Sequence, residues 1–189
     1  MIEHERVRAL LLTGTVGSGK TAVATEMGLL LEERELPSAI VDLDWLGWVH
    51  LGTAFEGVER LIAGNLAAIW PNLRSAGVRR LVLVRAIHRR DAVDGLRRAL
   101  PDVDLTVVRL STSGATVEER LRRRDTGPVL EEHLRQTVEI AELMDRAALE
   151  DFKVANDGRP LREVAAEILL RAGWVQRTPG AEGRMRSAR

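Results

Sequence analysis

The sequence predicts a three-layer α/β fold, one sheet of five parallel strands with helices on both faces. Short apolar runs alternate with helix-period segments five times along the chain. Such alternation calls for parallel pairing, because each strand must be brought back to the same edge by a crossover helix. The second observation is the stretch Gly14-Thr15-Val16-Gly17-Ser18-Gly19-Lys20-Thr21. It reads G-x-x-x-x-G-K-T between the first apolar run and the first helical segment, which is the context a Walker A phosphate loop requires. Its glycines let successive backbone N–H groups turn around an anion, and the helix behind adds its positive N-terminal end.

Composition sets the limits. A length of 189 residues suits one domain with a proper core, expected over residues 1–175, and the polar, basic residues 176–189 read as a disordered tail. The 28 Lys and Arg balance the 28 Asp and Glu, so no overall field favours nucleic acid or an anionic membrane, and anion binding must be local. Absence of cysteine excludes disulfides and thiolate metal sites. Without a run of signal-peptide or membrane-span length, the expected location is the cytoplasm, as a monomer or a homodimer.

In chain order, residues 7–12 are a strand buried on both faces, with the run Ala9-Leu10-Leu11-Leu12. Val23, Met27, Leu30 and Leu31 give the first helix its buried stripe. Ala39-Ile40-Val41 form a second strand ending in Asp42-Leu43-Asp44, and Val58, Ile62, Leu66, Ile69 and Leu73 repeat at helical spacing, with a kink or break expected at Pro71. Residues 81–87 are the third strand, and Asp91 is the expected cap of the next helix. Residues 103–110 are the fourth. Thr116-Val117-Glu118-Glu119 has the form of a capping box ahead of Arg120, Arg122, Arg123 and Arg124, and Asp125-Thr126-Gly127-Pro128 break that helix. A long amphipathic helix over residues 130–149 follows, with Glu131 and Arg135 at ion-pair spacing. Residues 152–155 are the fifth strand, Asn156-Asp157-Gly158-Arg159-Pro160 turn the chain, and a last helix ends at Gly173.

Phosphoryl transfer needs a cradle, a metal, a group that orients the acceptor, and cations to offset charge. Lys20 is placed to reach the outer phosphates of ATP and Thr21 to ligate Mg2+. Asp42 is the expected second metal contact and Asp44 the expected base; the competing reading has one or both capping the segment that follows. The third strand carries Arg85 where a Walker B acid is expected, so the acidic pair must do more, and Arg85 either touches substrate or pairs with a carboxylate. Arg120 and Arg124 are the expected phosphate contacts of a mobile lid over about residues 113–130, the remaining arginines being solvated or paired with Glu118 and Glu119; the competing reading is a solvated helix face throughout. Asn156, Gly158 and Arg159 offer polar groups to an adenine edge, and no guanine-reading Asn-Lys-x-Asp motif is present. Trp45, Trp48, Phe55 and Arg60 fall where an acceptor would bind. A single arginine in that stretch suits a neutral or weakly charged alcohol.

On residues 14–21, the Asp42-Leu43-Asp44 pair, the segment from Arg120 to Gly127, and Asn156-Asp157-Gly158-Arg159-Pro160, the chain resembles the small P-loop kinases of the nucleotide kinase type, in the adenylylsulfate kinase and gluconate kinase branch. More closely, Asp42-Leu43-Asp44-Trp45-Leu46 and Asn65-Leu66-Ala67-Ala68-Ile69-Trp70 are similar to a group of kinase-like proteins of unassigned substrate. The resemblance implies the three-layer P-loop NTPase fold with strand order 2-3-1-4-5, a lid, and a separate region for a small-molecule acceptor. In one departure, adenylylsulfate kinases carry an arginine three residues after the second aspartate, where this chain has Gly47. A phosphotransferase acting on the hydroxyl of a small metabolite is the leading expectation. A non-kinase ATP-binding module that senses nucleotide is the alternative.

Overall fold

The structure, a computed structural model, describes residues 6–50 and 57–176. In chain order the elements are β1 (Arg8–Thr13), α1 (Lys20–Glu32), β2 (Ser38–Asp42), α2 (Leu43–Leu46), α3 (Val58–Ser75), β3 (Arg80–Val84), α4 (Arg90–Ala99), β4 (Asp104–Ser111), α5 (Gly114–Arg124), α6 (Gly127–Ala147), β5 (Phe152–Ala155) and α7 (Leu161–Arg171). The five strands pair in parallel in the order β2-β3-β1-β4-β5. This is the P-loop NTPase sheet that the sequence led us to expect.

The strands that read as apolar throughout take the middle of the sheet. Leu10, Leu11 and Leu12 of β1 and Leu81, Val82 and Leu83 of β3 have no accessible surface. Side chains alternate across the pleat, so each strand feeds two cores. Ala9, Leu11, Leu81 and Leu83 pack under α3 and α4 with Ile62, Leu66, Trp70 and Leu96. Leu10, Leu12, Val82 and Val84 pack under α1 and α7 with Met27, Leu31, Ile168 and Leu169. Each fully buried leucine contributes about 2 kcal/mol on burial, so the two cores hold the sheet's carboxyl edge rigid from both sides. At that edge the chain leaves β1 into the phosphate loop, β2 into Asp42 and Asp44, β3 into Arg85, β4 into Thr112 and β5 into Asn156, which is where ligands of such sheets bind.

Four local expectations are corrected. α3 runs through Pro71 to Ser75, because Ile62, Leu66 and Trp70 before the proline and Leu73 after it all pack on the same core. Packing on both sides outweighs the lost hydrogen bond. The cap of α4 is Arg89, and Asp91 sits in the first turn, accepting from the N–H of Ala92 and from Arg89. α5 starts earlier than the Thr116 box: Ser113 is the cap and its Oγ accepts from the N–H of Thr116 at 3.3 Å. α6 opens at Gly127 with Pro128 in its first turn, and Arg135 pairs with Glu132 and Glu139 instead of Glu131. Among the described residues no helix is long and apolar enough to cross a membrane. Phe55 and the tail after Gln176 lie outside the described residues.

Candidate functional site

The loop over residues 14–21 takes the cradle form that its glycines permit. Gly17 and Gly19 have φ of 77° and 93°, and a Cβ on Gly19 would fall 2.8 Å from Asn156 Nδ2 and 3.3 Å from Arg120 Nη1. A side chain at that position is excluded both by strain and by its neighbours. Lys20 Nζ donates to the carbonyls of Gly14 at 3.1 Å and Thr15 at 2.8 Å. Burial lowers its pKa to about 8 against the pull of Asp44 and Asp42, and Arg124 lowers it further. The ammonium is thus short of negative charge, which a polyphosphate would bring.

The acidic pair divides its work. Asp42 caps α2 by accepting the N–H of Asp44 on Oδ1 at 3.1 Å, and its Oδ2 accepts from Thr21 Oγ1 at 3.2 Å. The cap thus uses one oxygen of the Asp42 carboxylate and the Thr21 hydroxyl the other. Asp44 lines a pocket of about 390 Å³ with Gly17, Gly19, Lys20, Thr21, Arg120 and Arg124. Its Oδ1 accepts from Arg85 Nη1 at 2.6 Å, and Arg85 Nη2 donates to Glu59 Oε1 at 2.8 Å. Arg85 thus joins α2 to the start of α3. Glu59 was not singled out in the sequence, where it is one acid in an ordinary first helical turn.

Arg120 is placed differently from a phosphate finger. Its Nη1 donates to the carbonyl of Ser18 at 3.0 Å and its Nη2 to that of Asn156 at 2.9 Å. The Asn156 side chain is fully buried, with Nδ2 donating to the same Ser18 oxygen at 2.7 Å, and Thr112 Oγ1 adds a third bond at 3.3 Å. Asn156 is therefore corrected from an adenine contact to a brace behind the loop. Because a trans peptide points its C=O and the next N–H in opposite directions, three donors on Ser18 O fix the Gly19 N–H facing away from them. Asp157 completes the brace, accepting from the N–H and Oγ of Ser113 at 2.9 and 2.7 Å. From α6, Thr137 Oγ1 donates to the carbonyl of Val16 at 3.2 Å. Thr112 and Thr137 carried no motif to mark them, and Asp157 was marked only as part of a turn.

The other expected contacts disperse. Arg124 lines the pocket but is held by Asp125 at 2.9 Å, and the pKa of Asp125 falls to about 2 through Arg124 first and then His133. Arg122 and Arg123 pair with Glu118 and Glu119 on their own helix, as the sequence led us to expect of them. Arg159 pairs with Glu167 on α7 at 2.8 Å, and Gly158 supplies the turn with φ 59°. Trp45 and Trp48 stack on one another at 5.1 Å, each about three-quarters exposed, and neither lines the phosphate pocket. Arg60 lines a groove between α3 and α4 instead. At Gly47, a Cβ would fall 2.6 Å from two carbons of Ile62, so α3 occupies the space an arginine would need. A larger cavity of about 730 Å³ lies at the β2 edge, where Glu32 and Glu35 are its charged lining residues, the wrong sign for a phosphate.

No family model and no curated protein sequence matches the chain. Solved structures do match. A shikimate kinase from Bacteroides thetaiotaomicron is 17% identical, with a TM-score of 0.61 over 89% of this chain and 99% of that one. A sugar kinase from Janibacter sp. HTCC2649 is 18% identical, with a TM-score of 0.60 over 88% and 95%. The APS kinase of Mycobacterium tuberculosis, in complex with AMPPNP and APS, is 23% identical, with a TM-score of 0.56 over 87% and 96%. At these identities the likeness establishes the fold, that of small P-loop kinases.

Proposed function

We propose that the protein is an ATP- and Mg2+-dependent phosphotransferase acting on a hydroxyl of a small molecule. The observation that carries this reading is the convergence of Lys20, Thr21, Asp42 and Asp44. A lysine short of negative charge sits in a glycine cradle, and the hydroxyl and carboxylate of a metal pair lie 3.2 Å apart beside it. This donor set fits a magnesium–polyphosphate: Lys20 and the loop N–H groups hold the phosphates, while Thr21 and Asp42 hold the metal. When bound, ATP supplies the phosphoryl group and Mg2+ offsets its charge. Asp44, fixed by Arg85, orients the acceptor hydroxyl and accepts its hydrogen bond. Positioning of that kind matters more than base strength in a loose phosphoryl transfer. Helix α5 serves as the lid, with Arg120 drawing it onto the loop. The fold shared with sugar, shikimate and APS kinases supports the same reading.

One observation favours a nucleotide sensor instead: the β3 end carries Arg85, which engages Asp44, and supplies no acid. Calorimetry with ATP and GTP in magnesium, followed by ATP consumption with and without candidate alcohols, separates the readings. Lys20→Ala is expected to weaken ATP binding or abolish turnover. Failure of the wild-type chain to bind either nucleotide would end both readings, and steady hydrolysis indifferent to any alcohol would select the sensor.

A further inference from the structure

Between α3 and α4 runs a groove of about 600 Å³, lined by Glu59, Arg60, Ala63, Arg89, Asp91, Gly95 and Arg98 among others. Its charge balance is unusual. Both acids are already committed, Glu59 to Arg85 at 2.8 Å and Asp91 to Arg89 at 3.0 Å. Among the described residues Arg60 and Arg98 make no hydrogen bond or ion pair, so within that set the groove presents two guanidinium groups without a counter-ion. Its floor is built from Ala63, Ala92, Gly95 and Ala99. Gly95 lies inside α4, where glycine is unfavourable. A Cβ there would meet only Ala63 Cβ at 3.8 Å and Arg98 Nη2 at 3.9 Å, both ordinary contacts. Packing therefore does not demand the glycine, and what it gives is depth beneath the Arg98 guanidinium.

The groove also has an address. Glu59 belongs both to its lining and to the chain Asp44–Arg85–Glu59, so it opens one arginine away from the carboxylate that faces Lys20. A small molecule whose hydroxyl lies at Asp44 can extend into it. Guanidinium groups match carboxylate and phosphate oxygens in a two-pronged geometry that neutral groups do not offer.

We propose that the α3–α4 groove is an oxyanion site, in which Arg60 and Arg98 hold a carboxylate or phosphate group of the phosphoryl acceptor. The acceptor assignment rests on the phosphotransferase reading; the anion site does not. This reverses the expectation of a neutral acceptor, which counted only the arginines near Asp44 in sequence and not those that α4 brings beside it.

The test is residue-resolved amide NMR on the full chain, titrated with inorganic phosphate in one arm and succinate in the other. Saturable shifts are expected at Ala63, Ala92 and Gly95, with a dissociation constant on the order of millimolar for such small probes. Arg60→Gln and Arg98→Gln should each weaken them at least fivefold. Gly95→Ala should weaken them too while raising the melting temperature, an outcome that a misfolded variant cannot imitate. Tighter phosphate assigns a phosphate ester, and tighter succinate a hydroxy acid. Shifts that fail to saturate at these amides, that are confined to residues 14–21, or that survive both arginine substitutions overturn the site. If Mg-AMPPNP leaves residues 14–21 unmoved while the groove still saturates, the phosphotransferase reading falls and the anion site stands.

Discussion

Lys20 is the residue whose chemistry is most exposed to test. Its pKa of about 8 lies below the ordinary 10.5 because burial disfavours the charged form. Above pH 8 the free protein loses the charge that would meet the phosphates. Affinity for Mg-ATP is therefore expected to fall as pH rises from 7 to 9.5, as calorimetry would show, with Lys20→Ala weak and flat throughout. For folding the sign is opposite: between about pH 8 and 10.5 the unfolded chain binds more protons at this site, so stability from Lys20 rises with pH. The lysine costs the empty protein stability at neutral pH. Lys20→Met should then melt at or above wild type while losing stabilisation by nucleotide. Asp42 admits an equally sharp test, because its oxygens have separate tasks. Asp42→Asn keeps the acceptor that caps α2 but loses the charge beside Thr21, and should raise the magnesium requirement roughly tenfold or more with little change in melting. Asp42→Ala should add about 1 kcal/mol of instability from the lost cap. Equal magnesium dependence in both variants and wild type would remove Asp42 from the metal site.

At the scale of elements, α5 and α6 lie against the phosphate loop through a few polar contacts. Arg120 reaches Ser18 and Asn156, and Thr137 reaches Val16, while Val117 and Leu121 supply the apolar contact. Arg120→Met is expected to speed hydrogen exchange of α5 amides and to weaken Mg-ATP by about tenfold, since it frees the Ser18 peptide. Arg122→Met should do neither, its partner being Glu118 in an exposed pair worth under about 1 kcal/mol. Identical exchange in both variants would detach α5 from the loop. The same scale shows why boundaries resist a linear reading. Thr116-Val117-Glu118-Glu119 satisfies a capping pattern, yet Ser113 wins because Asp157, from just past the end of the neighbouring strand β5, holds its hydroxyl and N–H. At the far end of α6, Ala148 closes the helix with φ 43°, a conformation that strains any residue with a Cβ. Ala148→Gly should relieve this and stabilise the fold by about 0.5–1 kcal/mol in urea titration, net of the entropy glycine adds to the unfolded chain.

Across the whole molecule, the layers and the phosphate loop were legible because each depends on a local period: Leu10, Leu11 and Leu12 mark a central strand, and Gly14, Gly17 and Gly19 mark a cradle. What needed the structure is what long-range packing decides. Asn156 lies at the turn that the sequence predicts, but only the pairing of β5 with β4 puts its amide behind Ser18. Arg98 belongs to no sequence motif, and only the packing of α4 against α3 brings it to the groove that Arg60 also lines. The molecule thus joins two halves at one edge of the sheet, a phosphate loop backed by α1 and α7 and a basic groove carried by α3 and α4, with Arg85 between them.

Under the proposed reading, that arrangement favours a kinase over a sensor. A sensor has no use for a groove one arginine away from Asp44, whereas a kinase needs its acceptor held on the far side of the transferred group. Acceptor-dependent ATP consumption is therefore expected from hydroxy acids or phosphate esters of alcohols, at least tenfold above basal hydrolysis, with neutral sugars and nucleosides near basal. Arg85→Met should lower kcat at least tenfold with the Mg-ATP dissociation constant within about threefold of wild type, because it frees Asp44 from the residue that aims it while leaving the loop intact. Arg98→Gln should instead raise the acceptor KM and spare kcat, as removal of uniform binding does. Consumption that ignores every acceptor, or an Arg85→Met enzyme with unaltered kcat, would break the link between the two halves.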